Sequence, residues 1–119
     1  MFESYQNYLI LILIGLFFAW KAIKTQRNRR KVPGLLARGG IIIDVRTKNE
    51  FDNGSAPRSI NIPLDKIEQK LKTMDPKTPI ILCCASGARS GFAARIFKRH
   101  GFKEIVNVGS WTNINIHQG

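Results

Sequence analysis

The chain has little acid, little sulfur and almost no histidine. Its 119 residues include two cysteines, two histidines and eight carboxylates, against nineteen lysines and arginines. The cysteines, Cys83 and Cys84, are adjacent. Neighbours make a poor disulfide and are too few for a structural zinc site, so a disulfide framework and a zinc fold are both excluded. A reduced, reactive thiol in a reducing compartment is the better reading of the pair. The shortage of acid leaves a net charge of +11, which raises nucleic acid as a partner. No aromatic-basic interleaving, zinc spacing or helix-turn-helix pattern accompanies that charge, so nucleic-acid binding is not expected. Neither histidine has the surroundings of a general base: His100 ends a helical stretch and His117 sits in a polar tail. No repeat or low-complexity segment is present, and no metal or other cofactor is expected. A chain of this length holds one domain of modest core.

The positive charge is unevenly spread. Lys21, Lys24, Arg27, Arg29, Arg30 and Lys31 fall within eleven residues, and no base precedes them. Just before this cluster, Tyr8 to Trp20 carries no charge. Extended to Tyr5–Ile23 it reaches nearly 30 Å as a helix at about 1.5 Å per residue, close to the hydrocarbon thickness of a bilayer. Tyr5, Tyr8 and Trp20 suit the interfaces, and Lys21 can snorkel outward. A secretory signal is the competing reading. It lacks a basic start, and the bulky Trp20-Lys21 pair stands where a small-residue cleavage site belongs. The expected organisation is therefore a transmembrane anchor over 1–24, a basic linker over 25–31 and a domain over 32–119, with Val32-Pro33-Gly34 breaking the helix. The base-rich flank belongs on the cytoplasmic side, making this a single-pass membrane protein with its domain in the cytoplasm and the lipid bilayer as a partner.

Beyond the linker, strands and helices alternate. Ile41-Ile42-Ile43-Asp44-Val45 is a β-branched run apolar on both faces, as a central parallel strand requires. Ser59–Ile62 is a second strand stopped by Pro63. Asp65 with Glu68 has the spacing of a capping box, and Leu64, Ile67, Leu71 and Met74 recur at helical intervals. Ile80–Cys83 is the third strand. Phe92, Ala93, Ile96 and Phe97 form one stripe of a helix closed by Gly101, and Glu104–Val108 is the last strand. The expected fold is α/β, a mostly parallel sheet flanked by helices in three layers, with its site beyond the carboxyl ends of the strands.

The third strand points to chemistry. It ends in Cys84, four small residues follow (Ala85, Ser86, Gly87, Ala88), and then Arg89 and Ser90 open a helix. Backbone N–H groups at such a turn have no intrahelical partner and converge on a small bowl. The helix dipole and Arg89 add positive charge, so the thiol of Cys84 should ionise more readily than usual. Cys83 points the opposite way by strand alternation, into the packing of the sheet.

Cys84-Ala85-Ser86-Gly87-Ala88-Arg89-Ser90 resembles the Cys-x-x-Gly-x-Arg-Ser loop of single-domain rhodaneses. Asp44-Val45-Arg46 with Glu50-Phe51, Gly54 to Leu64, and Gly101-Phe102 with Val108 to Trp111 resemble that family's flanking segments. Two departures stand out: Gly54-Ser55-Ala56-Pro57-Arg58 where Gly-His-Ile-Pro-Gly is usual, and Gly109-Ser110 where Gly-Gly is usual. The resemblance implies a three-layer rhodanese fold and a thiosulfate sulfurtransferase-like activity. Cys84 would accept sulfur from a small anionic donor such as thiosulfate and pass it to a thiol, a protein thiol or cyanide. Residues 85–90 would bind the substrate. Asp44, Arg46 and Glu50 are expected to support the site, the first as a strand-end carboxylate and the others as an Arg–Glu pair. Two other classes fit a cysteine–arginine loop. Phosphatases and arsenate reductases place five residues between the two, against four here. A non-catalytic membrane scaffold on the same domain would leave Cys84 without sulfur to carry.

Overall fold

Long apolar and alternating runs set the elements, and the computed structural model describes residues 2–114 of them. Helix α1 spans Phe2–Ala37. It is followed by β1 (Ile41–Asp44), α2 (Lys48–Asp52), β2 (Ser59–Asn61), a 3-10 turn (Leu64–Lys66), α3 (Ile67–Leu71), β3 (Ile80–Cys84), α4 (Ala88–Arg99), β4 (Ile105–Ser110) and a closing 3-10 turn (Trp111–Asn113). The sheet order is β2-β1-β3-β4, and every neighbouring pair is parallel. β1 and β3, the two inner strands, are the apolar runs, interrupted only by Asp44 at the end of β1, as burial on both faces demands.

The period-2 alternation of β1 and β3 sends side chains into two cores. On one face Ile43, Leu82 and Cys84 pack with Ile67 and Leu71 of α3 and Ala93 and Phe97 of α4. On the other, Ile42, Ile81 and Cys83 pack with Val32 and Leu35 of α1 and with Val106 and Val108. The sheet is thus flanked by helices on both faces, as expected.

The helix does not break at Val32-Pro33-Gly34. α1 continues through Pro33 to Ala37, although proline removes one hydrogen bond and crowds the preceding turn. The compensation is packing. Thr25, Asn28, Val32 and Leu35 make a covered stripe, joined by the half-buried Pro33 and Leu36, and burying side chains of the size of Val32 and Leu35 contributes about 1.5–3 kcal/mol each. The basic stretch is therefore helical and lies on the sheet, with its lysines and arginines outward.

Three local expectations are corrected. Asp65 does not cap a helix: Lys66 N–H donates to Pro63 O at 2.8 Å, a 3-10 bond, and α3 starts only at Ile67 without a side-chain cap. A capping box forms instead at Thr47 and Glu50, opening α2, an element absent from the sequence reading. Phe92 leaves the predicted stripe and is 58% exposed, while Ser90, Ala93 and Phe97 are the buried positions of α4. The remaining stripe on α3 holds, with Ile67 and Leu71 buried and Leu64 and Met74 packed against them. His117 lies outside the described residues. His100 ends α4, its Nδ1 2.9 Å from Ile96 O.

Candidate active site

All four strands deliver their carboxyl ends to one side of the sheet, and Cys84 is the last residue of β3. Its side chain faces α4 and is buried. The next residues turn sharply into α4 through Gly87, whose φ of 103° is costly for any residue with a Cβ. Space demands glycine as well: a Cβ there would meet the Cα of Gly109 at 3.1 Å. That turn aims backbone at the sulfur. Gly87 N–H donates to Cys84 Sγ at 2.9 Å, and the N–H groups of Ser86 and Ser90 add to it. Burial pushes the Cys84 thiol up, but the Ser90 hydroxyl and these three N–H groups outweigh it, and the net displacement is downward. Cys83, on the opposite face, is pushed well up by burial and by the Asp44 carboxylate.

The loop is tied from below by a residue that sequence reading passed over. Asn107, the one polar side chain in the middle of β4, accepts from Ser90 Oγ at 2.7 Å and from Gly109 N–H at 2.9 Å through its Oδ1. Its Nδ2 donates to Gly87 O at 3.0 Å. The only hint was an amide interrupting the run Ile105-Val106-Asn107-Val108. β4 also carries an irregularity here: Leu82 pairs with Asn107 and Cys84 with Ser110, so β4 spends one residue more than β3 over that stretch. Gly109 takes the extra curvature at φ 79°.

Ser90 Oγ lies 3.4 Å from Cys84 Sγ, 3.1 Å from Gly87 O and 2.7 Å from Asn107 Oδ1. One hydroxyl proton serves these three acceptors, so ionisation of the sulfur can draw it inward. Ala85, Ser86 and Ala88 are exposed along the rim.

Arg89 takes the acid expected for Arg46. Its guanidinium forms a fork on Glu50, Nη1 to Oε1 at 2.7 Å and Nη2 to Oε2 at 2.9 Å. Glu50 therefore pairs with Arg89 and not with Arg46. Arg89 together with the Thr47 N–H holds the Glu50 carboxyl down to about 2. The thiolate is favoured by the Ser90 hydroxyl and by the backbone N–H groups, with Arg89 bracing the loop to α2. Arg46 turns to Asp44, donating from Nε and Nη2 at 2.8 to 3.0 Å. It also donates to Gly54 O at 2.7 Å and lies 4.8 Å over the Trp111 ring. Asp44 and Arg46 are both buried, so removing either leaves an uncompensated charge, typically about 3–5 kcal/mol. Asp44, Arg46 and Glu50 thus stand around the site as a frame, while Cys84 and residues 85–90 form the bowl. No group of three or more histidine, cysteine or carboxylate side chains that could hold a metal occurs among the described residues.

Comparison with known proteins bears on this geometry. The model of the Rhodanese-like domain family matches residues 28–117. The uncharacterized protein YqhL of Bacillus subtilis is 30% identical over 109 residues, covering 86% of each chain. Thiosulfate sulfurtransferase 18 of Arabidopsis thaliana is 34% identical over 89 residues, 63% of this chain and 65% of that one. YrkF of Bacillus subtilis is 37% identical over 67 residues, 56% of this chain, and the match spans only 36% of YrkF. Among solved structures, a rhodanese with anions from E. coli superposes with a TM-score of 0.60 at 25% identity, covering 65% of this chain and 93% of that one.

Proposed function

The chain belongs to the rhodanese-like domain family, whose relatives include sulfurtransferases, and from that premise we propose that it is a membrane-anchored sulfurtransferase working through a persulfide on Cys84. The observation that carries the reading is the sulfur of Cys84 sitting in a bowl of backbone N–H groups at the head of α4, with its ionisation favoured.

The Cys84 thiolate attacks the outer, sulfane sulfur of a donor such as thiosulfate. A bond forms from Sγ to that sulfur, the donor's S–S bond breaks, and sulfite leaves with the electron pair. The resulting Cys84 persulfide anion is stabilised by the same N–H groups that held the thiolate, and those groups favour the ionised nucleophile without a separate base. Cyanide or a thiolate acceptor then attacks the outer sulfur, and Cys84 leaves as thiolate. Ser90 follows the charge with its hydroxyl, while Asn107 and the Glu50–Arg89 fork keep the loop from collapsing onto an empty site. Asp44 and Arg46 hold the strand end rigid and take no part in bond making.

The anchor is α1. Ser4–Ala37 contains a window apolar and long enough to cross a membrane, and none of that window is buried in the fold. Tyr5–Ile23 supplies the span. The bases that follow favour the cytoplasmic side for the domain, where an unprotected thiol stays reduced. Reporter fusions after Gly119, one active only in the cytoplasm and one only outside it, test that orientation. Activity of the outside reporter would reverse it.

Intact mass of the purified protein after thiosulfate tests the chemistry. A one-sulfur adduct removable by a thiol reductant is expected in the native chain and in Cys83→Ser, and is expected to vanish in Cys84→Ser. A folded Cys84→Ser protein that still takes up sulfur would refute the assignment.

A further inference from the structure

The direction of α1 relative to the sheet is fixed by three contacts in reverse order. Arg38 pairs with Glu104, just ahead of β4, at 2.6 and 3.0 Å. Asn28 Nδ2 donates to Asn107 O, midway along β4, at 2.9 Å. The methyl of Thr25 lies 3.7 Å from where a Cβ on Gly109 would stand, near the end of β4. β4 therefore runs back toward the N-terminal half of α1. Because the sheet is all parallel, every strand end points that way, and the Cys84 loop with them.

The separation between loop and apolar segment is small. From Ser4 onward Thr25 is the first residue of α1 that the fold covers, and Ser4 to Lys24 are all exposed. Ile23 closes the apolar segment, so Thr25 lies only about 3 Å further along the helix axis, less than the roughly 5–7 Å of headgroup layer on each side of a bilayer. A Cβ on Gly109 would also stand 4.0 Å from Ser86 O, and the Cα of Gly109 lies 3.1 Å from where a Cβ on Gly87 would stand. Gly109 thus sits between the sulfur loop and Thr25, at the edge of the span. No linker intervenes, since α1 is continuous. Around the end of the apolar segment Lys21, Lys24, Arg27 and Arg30 are exposed, positive charge that attracts anionic groups at a membrane surface.

Resting on the reading of α1 as a membrane anchor and of Cys84 as a sulfur carrier, we propose that the sulfur loop opens into the lipid headgroup layer. Its donor is an amphiphile whose anionic, sulfane-sulfur head lies at the bilayer surface. A long-chain alkanethiosulfonate has this chemistry. The Cys84 thiolate bonds to its terminal sulfur, the S–S bond breaks, and the alkanesulfinate keeps the electron pair and stays in the bilayer by its chain. One anion and one thiolate become one sulfinate and one persulfide anion, so charge and electrons balance without a further reactant.

Two measurements on the full chain in anionic vesicles test this. In a Cys83→Ser, Cys84→Ser background, a fluorophore on Thr112→Cys, at the strand-end side, is compared with one on Lys103→Cys, beside the far end of α1. Headgroup-nitroxide lipid is expected to quench the first several-fold more than the second, and equal or reversed quenching overturns the proposal. In the otherwise native chain, about three helical turns inserted between Ile23 and Lys24 lift the loop by ~16 Å. Transfer from a dodecyl thiosulfonate is expected to fall roughly ten-fold or more as the effective concentration of the bilayer-held donor is lost, while transfer from thiosulfate stays near its starting rate. An unchanged ratio of the two donors overturns the donor assignment. Failure of the native chain to float with vesicles removes the anchor, and absence of any thiosulfate adduct removes the sulfur chemistry. Each of those outcomes is distinct from a change in donor ratio.

Discussion

Replacing Ser90 by alanine takes one hydroxyl from under the sulfur loop and leaves the loop's other ties in place. Gly87 O keeps the Asn107 amide at 3.0 Å, and Asn107 Oδ1 keeps Gly109 N–H at 2.9 Å. The sulfur keeps Gly87 N–H at 2.9 Å but loses the hydroxyl 3.4 Å away. A hydrogen bond to a charged group contributes about 1.5–3 kcal/mol, and the long contact to sulfur argues for the lower end. At 1.36 kcal/mol per pKa unit, the Cys84 pKa should rise by roughly one unit. The sign follows from which form the hydroxyl favours: it stabilises the thiolate, so its loss favours the thiol. Where the thiol form already predominates, the reactive fraction then falls about ten-fold, and the rate of sulfur uptake falls with it. Raising the pH should restore the rate, because the nucleophile itself is intact. Ultraviolet thiolate absorbance in a Cys83→Ser background gives the pKa, and thiosulfate-cyanide turnover against pH gives the rate. An unmoved titration, or a deficit that persists on the alkaline plateau, would show that Ser90 positions the loop without acting on the charge of the sulfur.

Arg89→Lys keeps a cation but loses the fork on Glu50; donor use should drop several-fold, while the Cys84 titration moves less than in Ser90→Ala, measured side by side. The Glu50 carboxyl sits at about 2 against an ordinary 4.5, so its contribution to stability is present above the ordinary value and is lost as pH falls toward 2. Melting followed through acid should therefore decline less steeply in Glu50→Gln than in the native chain. Arg58 is the one non-glycine residue with positive φ among the described residues, at 65°, and stands where the family usually has glycine; Arg58→Gly should raise stability by about 1 kcal/mol in denaturant titrations. Leu35→Ala, in the part of α1 packed on the sheet, should cost about 2–5 kcal/mol, and a cost near zero would mean that α1 is merely an appendage of the domain.

Much of this molecule is local in origin and could be read from the chain. A run such as Ile80-Ile81-Leu82-Cys83-Cys84 is apolar on both faces and can only be an inner strand. Its period of two then sends Cys83 and Cys84 to opposite cores whatever the rest of the chain does. The small residues after Cys84 fix a tight turn into a helix, and Gly101 stops that helix, because backbone sterics act over a few residues. The tertiary structure decided what depends on residues far apart in the chain. Glu50 could pair with Arg46, four positions away, or with Arg89, thirty-nine away. The fold settled it, because Asp44 and Gly54 O already engage Arg46. Pro33 reads locally as a helix breaker, and only the burial of Val32 and Leu35 on the sheet carries α1 through it. Asn107 became the anchor of the sulfur loop because β4 lies beside β3, a neighbour relation no local pattern encodes. The orientation of the loop toward the apolar segment has the same source: strand polarity relative to α1 is set by how the sheet packs on that helix.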